Sequence, residues 1–110
     1  MEALIDYEGA LDRLGGDEEF LHELLQELCK QIDESSEEIT KLLEQNDFHG
    51  INRVGHGLKG ASSNLDVTSV AVLSKKLEEA AAEEDKETIL KLSAEISGLK
   101  VKLQDYLQNL

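Results

Sequence analysis

Phe48-His49-Gly50-Ile51-Asn52-Arg53-Val54-Gly55-His56-Gly57-Leu58-Lys59-Gly60-Ala61-Ser62-Ser63-Asn64-Leu65 is the stretch on which the fold turns. Phe48, Ile51, Gly55, Leu58, Ser62 and Leu65 recur at three- and four-residue steps, with Val54 and Ala61 alongside. That is the inner stripe of an amphipathic helix. Gly55, Gly57 and Gly60 crowd its middle, and each glycine in a helix interior costs about 1 kcal/mol relative to alanine. Such local breaches of the helix rules are expected where a site outweighs stability. His56 lies among these glycines, one residue off the stripe and about 100° round the helix, on the solvent side. Asn52, Lys59, Gly60 and Ser63 are its helical neighbours at three, four and seven residues. A helical side chain leans toward the N-terminus, so residue 60 would ordinarily lie over residue 56. Glycine there leaves the imidazole open to a large partner. Lys59 is placed to offer positive charge to an anion held on the ring. The pattern suits a histidine that carries a phosphoryl group.

The same periodicity continues on both sides. Asp6 reads as the N-cap of a short helix through Leu14, with Leu4, Leu11 and Leu14 inward, and Gly15-Gly16 stops it in a left-handed turn. Asp17 caps a second helix, and Glu18 and Glu19 suit its positive end. Leu21, Leu25, Leu28, Ile32, Ser35, Ile39 and Leu42 carry that helix to about Gln45, with Asp33-Glu34-Ser35-Ser36 as its one point of interruption. Asn46-Asp47 is a turn, with Asp47 capping the third helix. Asp66-Val67 is the next turn, and Thr68 or Ser69 is expected to cap a fourth helix with Val70, Leu73, Leu77 and Ala80 inward. After Glu83-Glu84-Asp85 a last helix starts near Lys86, carries Ile89, Leu92, Ile96, Leu99, Leu103 and Tyr106, and tolerates Gly98. Short connections between long amphipathic helices predict an all-α protein. The expected form is an antiparallel up-and-down four-helix bundle with a short N-terminal helix covering one end.

Composition agrees with one such domain over residues 1–110. Proline and tryptophan are absent, Tyr and Phe number two each, and aliphatic residues must fill the core. No apolar run is long enough to span a bilayer and no signal peptide is evident, so no membrane partner is expected. One cysteine excludes an internal disulfide, and the cytoplasm is the expected compartment. A net charge of -13 argues against nucleic acid. The charge is uneven. Asp17 to Asp47 holds eleven carboxylates against Lys30 and Lys41, whereas Phe48 to Lys76 sets Arg53, Lys59, Lys75 and Lys76 against Asp66 alone. His56 falls in the basic region of an acidic protein.

Other chemistries find little support. His22 sits among acids and reads as a surface residue. His49 precedes His56 by seven residues, about 10 Å of helical rise, too far to share a metal ion. No Glu-x-x-His pair of the di-iron kind is present. Cys29 reads as a small core residue. Ser62 and Ser63 follow no glycine-flanked nucleophile turn, and neither a P-loop nor a kinase signature occurs.

His56-Gly57-Leu58-Lys59-Gly60 resembles the His-x-Leu-Lys-Gly signature of histidine-containing phosphotransfer (HPt) domains. Asn64-Leu65 continues the likeness, as do Leu77-Glu78 on the following helix and Leu14-Gly15-Gly16-Asp17 with Leu24-Leu25-Gln26-Glu27-Leu28 at the start of the second. Three residues depart from the pattern. Asp66 stands where glycine is usual, and Gly55 and Gly57 replace commoner alanine and polar residues. Asp66 is expected to sustain the left-handed turn at small cost, and the extra glycines to loosen the third helix.

The resemblance implies that His56 accepts a phosphoryl group from the phospho-aspartate of a response-regulator receiver domain and passes it to another. Histidine, with an ordinary pKa of about 6.5, is a competent neutral nucleophile there. The family favours attack by Nε2. In this sequence Lys59 is expected to offset phosphoryl charge and Gly60 to give access, with Asn52 and Ser63 as hydrogen-bonding neighbours by helical spacing. The resemblance implies receiver domains and a hybrid sensor histidine kinase as partners. No residue here suits Mg²⁺ or ATP, so no cofactor of its own and no self-contained kinase activity are expected, Mg²⁺ being supplied by the receiver. The heptads of the last helix fit a bundle core, and a monomer is expected. Two alternatives stand beside this reading: the phosphoacceptor domain of a chemotaxis-type kinase, and a non-catalytic acidic adaptor.

Overall fold

The computed structural model describes residues 3–110 in five helices. These are α1 (Tyr7–Arg13), α2 (Glu18–Glu44), α3 (Phe48–Asn64), α4 (Thr68–Ala82) and α5 (Lys86–Gln108). No strand occurs among the described residues. Asp6, Asp17, Asp47 and Asp85 each accept a hydrogen bond from the backbone N–H three residues on, which satisfies a donor the first helical turn leaves open. The helix ends are equally regular. Asn46, Asp66 and Glu84 adopt φ of 55°, 54° and 56°. Each sits in a paired closure: Asn46 and Asp47 donate to Leu43 and Leu42, Asp66 and Val67 to Ser63 and Ser62, Glu84 and Asp85 to Ala81 and Ala80. The second residue of each closure is already the N-cap of the next helix, so no slack separates them. Gly15 and Gly16, with φ of 66° and 82°, end the turn after α1 as expected.

Several local expectations change. α4 is capped by Val67, not by Thr68 or Ser69, and with no side-chain hydrogen bond. The closure at Asp66 commits Val67 to the cap position and turns its side chain fully into the core. Ser69 instead donates from Oγ to the Leu4 carbonyl at 2.9 Å. α1 ends at Arg13, with Leu14 as its C-cap. α2 passes through Asp33–Ser36 without a break, because Ser35 is buried on its inner face. Asp66 does hold the left-handed turn, and its carboxylate pairs with Arg13 at 3.1 Å while its carbonyl accepts from Asp6 N–H at 2.9 Å.

The molecule measures 43 × 24 × 20 Å. The 27 residues of α2, at a rise of about 1.5 Å each, therefore run nearly its full length. α3 packs most extensively on α4, α4 on α5, and α2 on both α5 and α3, a closed ring of contacts. Leu21, Leu25, Ile51, Leu58, Leu77 and Ile89 are among the fully buried side chains at its centre. Burying each such side chain contributes about 1.5–3 kcal/mol, which makes this aliphatic core the main stabilising term.

Gly55 sets how closely α3 and α4 approach. A Cβ there would stand 3.1 Å from the Ser74 carbonyl oxygen and 3.2 Å from the Glu78 backbone nitrogen. Gly55 is thus a buried packing residue within a continuous α3. Gly57 is exposed and open: a Cβ on it would meet only Gln31 Nε2, at 4.0 Å.

Candidate functional site

α3 exposes His56 because the residue lies just off the stripe that Ile51, Gly55, Leu58 and Ser62 bury. Its side chain is 73% exposed. The close packing at Gly55 brings α4 alongside, and α4 contributes Glu78. One carboxylate oxygen, Oε2, lies 3.6 Å from His56 Nδ1, while the other, Oε1, lies 3.0 Å from Lys59 Nζ. The first distance is electrostatic contact and too long for a direct hydrogen bond. Glu78 is 18% exposed and Lys59 34%, so their ion pair lies in the α3–α4 seam while the imidazole stands above it. Oε1 has no other polar partner, so Lys59 is the group that compensates its burial.

The neighbours inferred from helical spacing divide. Lys59 and His56 converge on the same carboxylate. Gly60 is exposed, and a Cβ on it would meet nothing within 4 Å, so the surface beside the imidazole is open. Asn52 is half-buried and donates from Nδ2 to the Glu78 backbone carbonyl at 2.9 Å. Its amide nitrogen clips α3 to α4. Ser63 is exposed, and its carbonyl receives Arg13 at 3.5 Å.

Glu78 was absent from the candidates drawn from spacing, since it stands 22 residues beyond His56 on another helix. The Leu77-Glu78 pair was visible in the sequence, but no periodicity links it to the histidine.

The remaining histidines behave differently. His22 is no bare surface residue: its Nε2 lies 2.9 Å from the Tyr7 hydroxyl, and the Tyr7 ring also lies against Tyr106, with centroids 6.1 Å apart. Burial, reinforced by Glu18, pushes the Tyr7 hydroxyl above its ordinary pKa. His49 is exposed. Cys29 is buried as expected, and burial raises its thiol pKa, which leaves it a poor nucleophile. Among the described residues no three His, Cys, Asp or Glu side chains converge to hold a metal ion, and no helix is long and apolar enough to cross a membrane.

These helices form a bundle with an uncovered histidine backed by a carboxylate and a lysine. The Hpt domain family model matches residues 23–110, a span that contains all of these groups. The chain belongs to the Hpt domain family, whose members carry phosphotransfer in two-component signalling. Comparison with curated proteins and with solved structures found no match.

Proposed function

We propose that His56 is the phosphoacceptor of a phosphorelay intermediate, taking its phosphoryl group from a receiver-domain phospho-aspartate and returning it to another receiver. The observation that carries this is the pairing of exposure with orientation at one residue. His56 is open to a partner, and its Nδ1 edge faces the Glu78 carboxylate. A carboxylate on that side favours the tautomer protonated at Nδ1, which leaves the Nε2 lone pair free and turned away from Glu78.

The step then follows. Nε2 attacks phosphorus, the bond from phosphorus to the aspartyl oxygen breaks, and its electron pair stays on the receiver's carboxylate. Positive charge that develops on the imidazole is offset by Glu78. Lys59 neutralises Glu78 in the resting protein. Lys59 keeps that pairing and adds positive charge beside the phosphoryl oxygens. Gly60 keeps the approach clear. The receiver brings Mg²⁺ and its own aspartate, and this chain brings the nucleophile and its charge balance.

Within the same proposal, α2 to α5 run antiparallel in an up-and-down four-helix arrangement, with α1 covering one end. The closed ring of contacts and the three short turns support it. Its ties from Asp6, Arg13 and Tyr7 to the α3–α4 turn and α2 favour α1 as the cover. One domain, a monomeric state, a cytoplasmic setting and a hybrid sensor kinase upstream complete the reading.

The test is transfer from a radiolabelled phospho-receiver in Mg²⁺, run beside His56→Gln. An acid-labile, base-stable label confined to the unmutated chain is expected. Equal labelling of His56→Gln would remove His56 from the role.

A further inference from the structure

A phosphoryl group on His56 would add two negative charges to the α3 surface, and the donor side chains near it are not equivalent. Lys59 is engaged by Glu78 at 3.0 Å. Asn52 has committed its amide nitrogen to the Glu78 carbonyl. Arg53 differs from both. It is exposed, and it enters none of the ion pairs found among the described residues. It lines a groove of about 350 Å³ between α2 and α3 with Glu38, Gly50 and Val54, and Glu38 across that groove does not come within ion-pair distance of it.

Arg53 is also close to His56 along the helix. The two residues are three apart on a continuous α3, so they are neighbours on its surface. A helical side chain covers the turn N-terminal to its own Cα, which for His56 holds residues 52 and 53. The guanidinium presents its N–H donors in a planar fork that matches two phosphoryl oxygens at once, a geometry no ammonium reproduces.

We propose that Arg53 is a phosphoryl-binding residue of this protein: it clamps the group once it is on His56, while Lys59 balances Glu78. The inference rests on His56 being the phosphoacceptor. The clamp is an ion pair with paired hydrogen bonds, and no covalent bond changes in forming it.

The experiment uses the full chain and potassium phosphoramidate, which needs no protein partner: a ring nitrogen attacks phosphorus, the reagent's P–N bond breaks and ammonia leaves. The phosphohistidine is followed by ³¹P resonance against pH, and His56 is identified as the signal missing from His56→Gln. A nearby cation disfavours protonation of the phosphorylated ring and its oxygens. In Arg53→Gln the titration midpoint should therefore rise by roughly 1 unit, the lower end of the effect of a close opposite charge. Arg53→Lys should restore part of that shift, and 1 M salt should shrink it. A His56 signal with the same midpoint in Arg53→Gln would overturn the clamp and leave His56 as acceptor. A spectrum unchanged by His56→Gln would overturn the acceptor assignment, and the clamp with it.

Discussion

Gly55 and Ser74 join α3 to α4 through their backbones: a Cβ on the glycine would stand 3.1 Å from the serine carbonyl oxygen. A helix backbone cannot rotate aside as a side chain does, so a methyl group here must push the helices apart. Alanine gains about 1 kcal/mol of helix propensity, but overpacking of this kind costs about 1–3 kcal/mol. Gly55→Ala should lose roughly 1 kcal/mol in urea denaturation, whereas the open Gly57→Ala should gain up to about 1 kcal/mol. Equal stabilisation by both would mean that α3 and α4 do not touch at Gly55.

Gly60 separates the needs of the fold from those of a partner. Nothing lies within 4 Å of a Cβ placed on it, so Gly60→Ala should raise stability by about 1 kcal/mol. Gly60→Leu should fold as well, yet slow phosphoryl transfer from a receiver roughly tenfold, a barrier of about 1.4 kcal/mol, by filling the approach to His56. Full transfer rates in Gly60→Leu, measured in single turnover, would show that access is not what this glycine supplies.

Glu78→Gln keeps the shape of the side chain and removes its charge. The developing imidazolium loses its counter-charge and Lys59 loses its partner, so acceptance of the phosphoryl group should slow by about tenfold without being abolished. A rate equal to that of the unmutated chain would take Glu78 out of the mechanism.

Acid should weaken the start of α5. The Thr88 hydroxyl donates to Asp85 Oδ2 at 2.6 Å and its backbone N–H to Oδ1 at 3.2 Å, and these bonds hold the Asp85 carboxyl below its ordinary value of 3.8. A pKa lowered by folding stabilises the folded state fully above the unfolded value, and that contribution disappears as pH falls through the folded one. Asp85→Asn should therefore lose less stability than the unmutated chain between pH 4 and pH 2, read from thermal midpoints across that range. Parallel acid profiles would show that the cap does not titrate in this way.

Helix positions were legible in the sequence because their signals are local. Asp6, Asp17 and Asp47 stand immediately before their helices, and each accepts the N–H three residues on. The start of α4 was not legible. Thr68 and Ser69 both carry suitable hydroxyls, but the cap is decided by the left-handed Asp66, by the core that takes Val67, and by Leu4, which draws Ser69 away. The setting of His22 is equally hidden from its neighbours in sequence, since Tyr7 reaches it from a separate helix.

At the site, the order of residues alone determined the α3 half. His56, Lys59 and Gly60 share a surface because 3.6 residues make a turn, whatever the rest of the chain does. Only the tertiary structure decided what faces the ring. Glu78 meets His56 and Lys59 because Gly55 lets α4 approach to backbone contact, and Asn52 is turned to the Glu78 carbonyl by that same approach. The spacing of residues along one helix sets which side chains are neighbours on it. It does not set the distance between two helices, which depends on every side chain packed between them, and here on one that is missing.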